Sequence, residues 1–355
     1  MRISGLRMVV AAAAVAVLGA GCAPATPQGP QIVTAAPQSA PLFAVRTTTG
    51  MGIADASGMR GDRVGDYRDI GFSQDNSLAY AVDGAGVVSA LEVAELLVAS
   101  GRIDCRCARV FPLHDAVVGW WRDGAIMQAD LRTPDPTVLR SISLPTPRDP
   151  LGEGAALTGT ELIALDRDRA VLTRIESVPG ANWGINHLYV VDLNSGAVRQ
   201  FGRIAEVNTP FRQAAIAPGG RSVVVAGYSR DNVACGTASV HRLDLATGTV
   251  DSVGPPFPSC SSIADIRGDG TDVVLTRLVW NRDEPQQLGS STVWRYRDGW
   301  TQAGADPALR VLTDPHAVEL RHTGAAAPFG TIAGDLTVDG KTVLREVIEV
   351  RATHR

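Results

Sequence analysis

Lysine is all but missing from this chain: Lys341 is the single lysine among 33 basic residues, and the rest are arginine. Aromatic residues make up only 5% of the 355, and cysteine occurs five times. With 37 acidic residues the net charge is −4, which leaves no broad basic face for nucleic-acid phosphates. No apolar run reaches the ~20 residues that a membrane-spanning helix needs. Catalytic signatures are also lacking. There is no G-x-S-x-G nucleophile elbow, no H-E-x-x-H, no P-loop and no G-x-G-x-x-G after a strand. The six histidines are scattered. No cofactor and no metal are therefore expected, and neither is an enzyme.

What is present is enough apolar material, 45% of the chain, to exclude wholesale disorder. Glycine (37) and proline (21) are plentiful. The N-terminus carries Arg2 and Arg7, then thirteen uncharged residues from Met8 to Ala20, then small residues up to Cys22. That is the plan of a secretory signal. Residues 23–41 hold five prolines and no charge, the composition of an extended tether.

The segment Leu18-Gly19-Ala20-Gly21-Cys22 resembles the lipobox of bacterial lipoproteins. The resemblance implies a signal peptide over 1–21, lipidation of Cys22 and a tether over 22–41. Gly19 stands where the family prefers leucine. Cleavage after Ala23-Pro24-Ala25 is the alternative, and it would release a secreted protein. Either way export is expected, anchored to the outer face of the membrane or free.

Four cysteines remain in the body: Cys105, Cys107, Cys235 and Cys260. An even count in an exported chain suggests disulfides. C-x-C is also a possible start of a zinc or redox site, but no nearby histidine repeats the spacing.

The strongest signal is an internal repeat. An apolar strand, a turn rich in Asp, Asn and Gly, and a second apolar strand recur. The copies are Ile70-GFSQDNSLAY-Ala81, Ile163-ALDRDRAVLT-Arg174, Ile216-APGGRSVVVA-Gly227, Ile266-RGDGTDVVLT-Arg277 and Leu336-TVDGKTVLRE-Val347. A second hairpin follows at a steady distance, as Tyr189-VVDLNSGAVRQF-Gly202, Val240-HRLDLATGTVDSV-Gly254 and, more loosely, Val293-WRYRDGWTQA-Gly304. The turns at Asp168, Gly219 and Asp269 are 51 and 50 residues apart, and those at Asp192 and Asp244 are 52 apart. Two hairpins per repeat make a four-stranded meander that must pack against its neighbours.

These units resemble the β-propeller repeats of the TolB-like and WD40-like families. The resemblance implies an all-β domain over 42–355, built from four-stranded antiparallel blades. The segmentation gives blades near 65–100, 105–145, 157–204, 210–254 and 260–305. A sixth would be closed by strands from both chain ends, Leu42–Thr48 and Gly50–Ala56 with Gly330–Leu336 and Thr342–Val350. A seventh blade could hide in the irregular residues 306–329. Residues 86–100 read equally as helix or strand.

In such a meander the loop between the second and third strands emerges on the same face as the connection to the next blade. Cys235 and Cys260 fall on that face, so a bond between them is reasonable. Cys105 and Cys107 would then pair in a small ring or remain free.

Three long loops share the face: Ser177–Asn186, Tyr228–Thr237 and Val279–Ser290. They carry Asn182, Trp183, Asn186, Arg230, Asp231, Trp280, Arg282, Asp283 and Glu284, a mixture typical of binding surfaces. The competing reading is that Trp183 and Trp280 cap the blade packing and the charges are merely solvated. His187 and Tyr189, at a strand start, read as structural. The aspartates at 166 and 168, and at 265, 269 and 272, suggest calcium only loosely, because the EF-type loop is not matched.

The functional expectation is a monomeric, non-catalytic binding module whose partner is another envelope protein or a wall polymer. The alternative is a propeller enzyme, of hydrolase or lactonase type, acting on a small sugar or lactone through groups around the central axis.

Overall fold

The computed structural model describes residues 41–353, apart from 97, 134, 182–183, 205–206, 230–234, 270–271, 285–287, 306–307, 313–316 and 323–332. Every regular element in it is a strand. The segment expected at 1–21, the tether at 22–41 and Cys22 lie outside the described residues, save for Pro41.

The chain opens with β1 (Phe43–Thr47), β2 (Gly50–Asp55) and β3 (Gly58–Val64). The first blade follows as β4 (Tyr67–Phe72), β5 (Leu78–Asp83), β6 (Val87–Glu92) and β7 (Val98–Asp104), so the ambiguous stretch at 86–100 contributes to two strands, β6 and β7. The second has β8 (Phe111–His114), β9 (Val117–Arg122), β10 (Ala125–Asp130) and β11 (Thr137–Ser141). The third has β12 (Ala156–Leu165), β13 (Arg169–Ser177), β14 (Ile185–Asp192) and β15 (Val198–Gln200). The fourth has β16 (Gln213–Ile216), β17 (Ser222–Ser229), β18 (Thr237–Asp244) and β19 (Val250–Ser252). The fifth has β20 (Ser261–Asp269), β21 (Asp272–Trp280), β22 (Leu288–Tyr296) and β23 (Trp300–Ala305). All five are antiparallel meanders.

The sixth blade joins the chain ends. β24 (Ala308–Leu312), β25 (Ala317–His322), β26 (Gly334–Val338) and the long β27 (Lys341–Ala352) run on into β1, β2 and β3 as one seven-stranded sheet. The result is a six-bladed β-propeller closed by both termini, with a wider sixth blade. Residues 306–329 supply β24 and β25 to that blade rather than a separate sheet. Closure is the pairing of β1 with β27, from Phe43↔Ala352 to Thr47↔Val347. β27 pairs with β26 up to Val347 and with β1 from Val347 onward, and Glu346 at the changeover has φ +56°.

Turn chemistry sets the meander. Asp123-Gly124 and Asp339-Gly340 have positive φ at both residues, as a two-residue hairpin demands. Elsewhere an aspartate side chain accepts the turn's own backbone N–H groups. Asp75 takes Ser77, Asp166 takes Asp168 and Arg169, Asp192 takes Ser195, and Asp244 takes Ala246 and Thr247. These bonds explain why aspartate recurs at the repeat's turns.

Packing lies between blades. Leu78, Tyr80 and Ile103 of the first blade meet Val118, Trp120 and Met127 of the second. Equivalent apolar clusters join the second to the third, the third to the fourth, the fourth to the fifth and the sixth to the first. The leading strands β8, β12, β16 and β20 lie side by side, and β4 lies against β1 and β27, so these strands are innermost.

Charged residues on the innermost strands form one ionic cluster. Glu349 of β27 accepts from Arg46 of β1 at 3.0 Å and from Arg351 at 2.7 Å. Arg351 also reaches Asp265 of β20 at 2.8 Å, and Asp265 pairs with Arg267. Arg46 donates to the carbonyl of Tyr67 on β4 at 3.2 Å. The closing strand is thereby tied to the fifth and first blades. Asp69 of β4 accepts from the Val110 N–H at 3.3 Å and lies 3.9 Å from Arg109. Burial pushes the Asp69 carboxyl up to about 6, with Arg109 only partly opposing it. Burial would also raise Asp265, but Arg351 and then Arg267 overcome it and hold that carboxyl well below the usual range.

The two carboxylates give opposite pH dependences. The contribution of Asp69 is complete below its unfolded value near 3.8 and is lost as pH rises through about 6. That of Asp265 is present above its unfolded value and is lost only in strong acid. Urea unfolding at pH 4 and 7.5 should therefore show wild type losing up to about 3 kcal/mol relative to Asp69→Asn over that interval. A wild-type-to-variant difference that does not change with pH would refute this assignment.

Candidate functional site

In this meander the loops between second and third strands share one face, here called upper, with the connections that leave each blade. The two are stitched together by a recurring backbone hydrogen bond. Arg106 N–H donates to Gly86, Ile142 to Gly124, Gly184 to Asn208 and Ser261 to Gly236, at 2.9–3.2 Å. The same link occurs in four successive blades. Gly86 is required in the first: its φ is +80°, and a Cβ there would lie 2.9 Å from Arg106 Cα.

Two disulfides reinforce this face. Cys235 pairs with Cys260, with Cα atoms 4.7 Å apart, joining the fourth blade's loop to its outgoing connection as the topology requires. Cys105 pairs with Cys107, with Cα atoms 5.1 Å apart, so the small ring is formed rather than two thiols. Arg106, between them, has φ +50°.

The loop residues singled out from the sequence divide into three groups. Asn182, Trp183, Arg230 and Asp231 lie outside the described residues. Arg282, Asp283 and Glu284 are exposed at the end of the fifth blade's loop. Trp280 and Asn186 are not surface residues. Trp280 ends β21, is 3% exposed, and packs with Cys235, Cys260 and Leu278. Its indole N–H donates to Ser262 at 3.0 Å. Strand parity carries the correction, because Thr276 and Leu278 of the same face are also buried. Asn186 is fully buried. It donates to the carbonyls of Val207 and Thr209 and accepts from the Phe211 N–H, which fixes the connection to the fourth blade.

His187 and Tyr189 are buried as well. His187 lies 2.8 Å from Glu176, whose carboxylate also accepts the Leu151 N–H. Tyr189 donates to Pro145 at 3.3 Å, and burial raises its hydroxyl, with Arg174 opposing. These groups hold the connection between the second and third blades in place.

That connection borders a feature that no long loop marks. A cavity of ≈ 730 Å³ opens on the upper face between the second and third blades. Its walls come from the first blade's outgoing connection, the tight β9–β10 turn, residues 142–144, and the upper ends of β12 and β13. Searching for long loops passes over it, because its central turn is only two residues long. The signal in the sequence was Trp121-Arg122-Asp123-Gly124, an aromatic and a cation placed beside an obligatory turn.

No family model matches the chain, and no curated protein does. Among solved structures it is similar to oligogalacturonate lyase in complex with manganese, at 15% identity, TM-score 0.49, with 84% of this chain and 81% of that one covered. It is also similar to the Cps50 (Swd1) propeller of Myceliophteria thermophila, at 11% identity, TM-score 0.47, with 79% and 89% covered. BamB from Moraxella catarrhalis is similar at 10% identity, TM-score 0.39, with 78% and 92% covered. Against the tricorn protease, at 10% identity and TM-score 0.46, 87% of this chain is covered but only 33% of that one. Likenesses this distant carry no argument about activity. The fold rests on the sheet order itself: the chain is a β-propeller.

Proposed function

We propose that this chain is an exported β-propeller that acts as a non-catalytic binding module. Its partner would be another envelope protein or a wall polymer, taken on the upper face. The observation that supports this is the bracing of that face. Loops and connections are bonded to each other blade by blade and carry both disulfides, so the face is preorganised before any partner arrives. Exposed Arg282, Asp283 and Glu284 lie on it. The enzymic alternative would draw on carboxylates of the innermost strands. Asp265 and Glu349 are there in ion pairs, and Asp69 stands 3.9 Å from Arg109. For this reason we favour binding.

The test is crosslinking in intact cells followed by affinity purification. Wild type is compared with a variant in which Trp183, Arg230, Arg282, Asp283 and Glu284 are all alanine. Trp280 is left in place, because removing a buried tryptophan costs about 3–5 kcal/mol and would confuse folding with binding. A discrete partner held by wild type and lost by the variant is the expected result. The same partner profile from both would place binding elsewhere.

Anchoring is the second part of the proposal and has its own check. Membrane fractions should retain wild type and release Cys22→Ser, and only wild type should incorporate a labelled fatty acid. Equal partitioning of the two chains would favour a freely secreted protein.

A further inference from the structure

The cavity between the second and third blades has a chemistry of its own. Arg106, Arg122 and Arg174 line it, against one carboxylate, Asp123. An excess of guanidinium groups in a chain of net charge −4 is a local reversal of sign. The Arg122 side chain makes no hydrogen bond or ion pair among the described residues. Arg174 contacts the Tyr189 hydroxyl, yet its Nε is buried and has no hydrogen-bond partner among the described residues. Arg106 has only an exposed pairing with Asp104 at 3.3 Å, which water screens. Guanidinium donors are thus gathered in excess of the acceptors that reach them. The flanking disulfide fixes the backbone at Arg106, and Arg174 is placed by β13 and its contact with Tyr189.

The remaining lining is of two kinds. Ser143 and Thr160 offer hydroxyl groups, and neither makes a side-chain hydrogen bond among the described residues. Half-buried Trp121 supplies the large apolar wall. A volume of ≈ 730 Å³ falls within the range of small-ligand sites. Guanidinium forks match carboxylate or phosphate oxygens, hydroxyls match hydroxyls, and an aromatic wall suits the apolar face of a sugar ring.

The geometry points to a binding site for an acidic saccharide unit: a polyhydroxylated body bearing a carboxylate or a phosphate. Arg122 is the principal anion contact. Arg174 and Arg106 flank it, and Trp121 lies against the sugar face. This deepens the binding-module reading by naming a ligand chemistry for the same upper face, and it favours a polymer over a protein as the partner.

Calorimetric titration of the purified chain tests it with three probes: a mannuronate trisaccharide, a glycerol phosphate trimer and neutral maltotriose. The mannuronate probe should bind, with affinity falling as salt is raised, and maltotriose should not. Binding of the ring-less glycerol phosphate probe alone would refute the sugar-ring assignment. Arg122→Gln should weaken mannuronate binding about tenfold or more while leaving the melting temperature unchanged, since the side chain has no hydrogen bond or ion pair to lose among the described residues. Trp121→Ala should weaken it too, and Trp121→Phe should restore part of the loss. Failure of the mannuronate probe, equal binding of maltotriose, or undiminished binding by Arg122→Gln would overturn the assignment. Crosslinked partner capture that still depends on the Arg282–Glu284 loop would then leave the broader reading standing. Binding of the mannuronate probe without any such capture would do the reverse.

Discussion

The hydrogen-bonded ladder between β1 and β27 is the interaction on which the rest depends. Each blade buries one face against the blade before it and one against the blade after. Unless its ends meet, a ring of this kind leaves two blade faces uncovered. Here the meeting is made by backbone bonds from Phe43↔Ala352 to Thr47↔Val347. Side chains then secure it, with Glu349 held by Arg46 on one side and by Arg351 on the other. The cost of gathering charges at the centre is met by pairing them. Asp265 has two guanidinium partners, and Asp69, with a single more distant one, is the group whose carboxyl is pushed up.

Blade packing leaves the strands little freedom to carry function, so variation collects where the chain turns. The two faces of the ring differ in kind. One holds tight hairpins whose aspartates satisfy their own turns. The other sets tight turns, at Gly86 and at Asp123-Gly124, beside longer segments, and is braced by backbone bonds and disulfides. Irregular backbone held still by a regular scaffold is the usual setting for recognition.

The fold was legible because turn chemistry is local. Asp, Asn and Gly mark a hairpin wherever they occur between two apolar runs, and a spacing near fifty residues survives loop variation. Pairing of Cys235 with Cys260 was legible for the same reason, since the meander alone puts both on one face. The surface residues were less so. Trp280 and Trp183 look alike in the sequence, yet Trp280 still belongs to its strand and its ring turns inward onto a disulfide. Asn186 likewise serves the connection beside it. Of the arginine-lined cavity, one dimension shows only the Trp121-Arg122-Asp123-Gly124 turn and not the walls around it. Its walls come from five separate stretches between Arg106 and Arg174, and only inter-blade packing brings them together.

The position of β1 has a mechanical consequence. It enters from the face opposite the braced loops and is bonded along its length to β2 on one side and β27 on the other. Tension applied along the strand to the chain ahead of Leu42 must shear both ladders at once, rather than unzip them bond by bond. The segment that closes the ring is therefore also the one best placed to bear a pull from the N-terminal side.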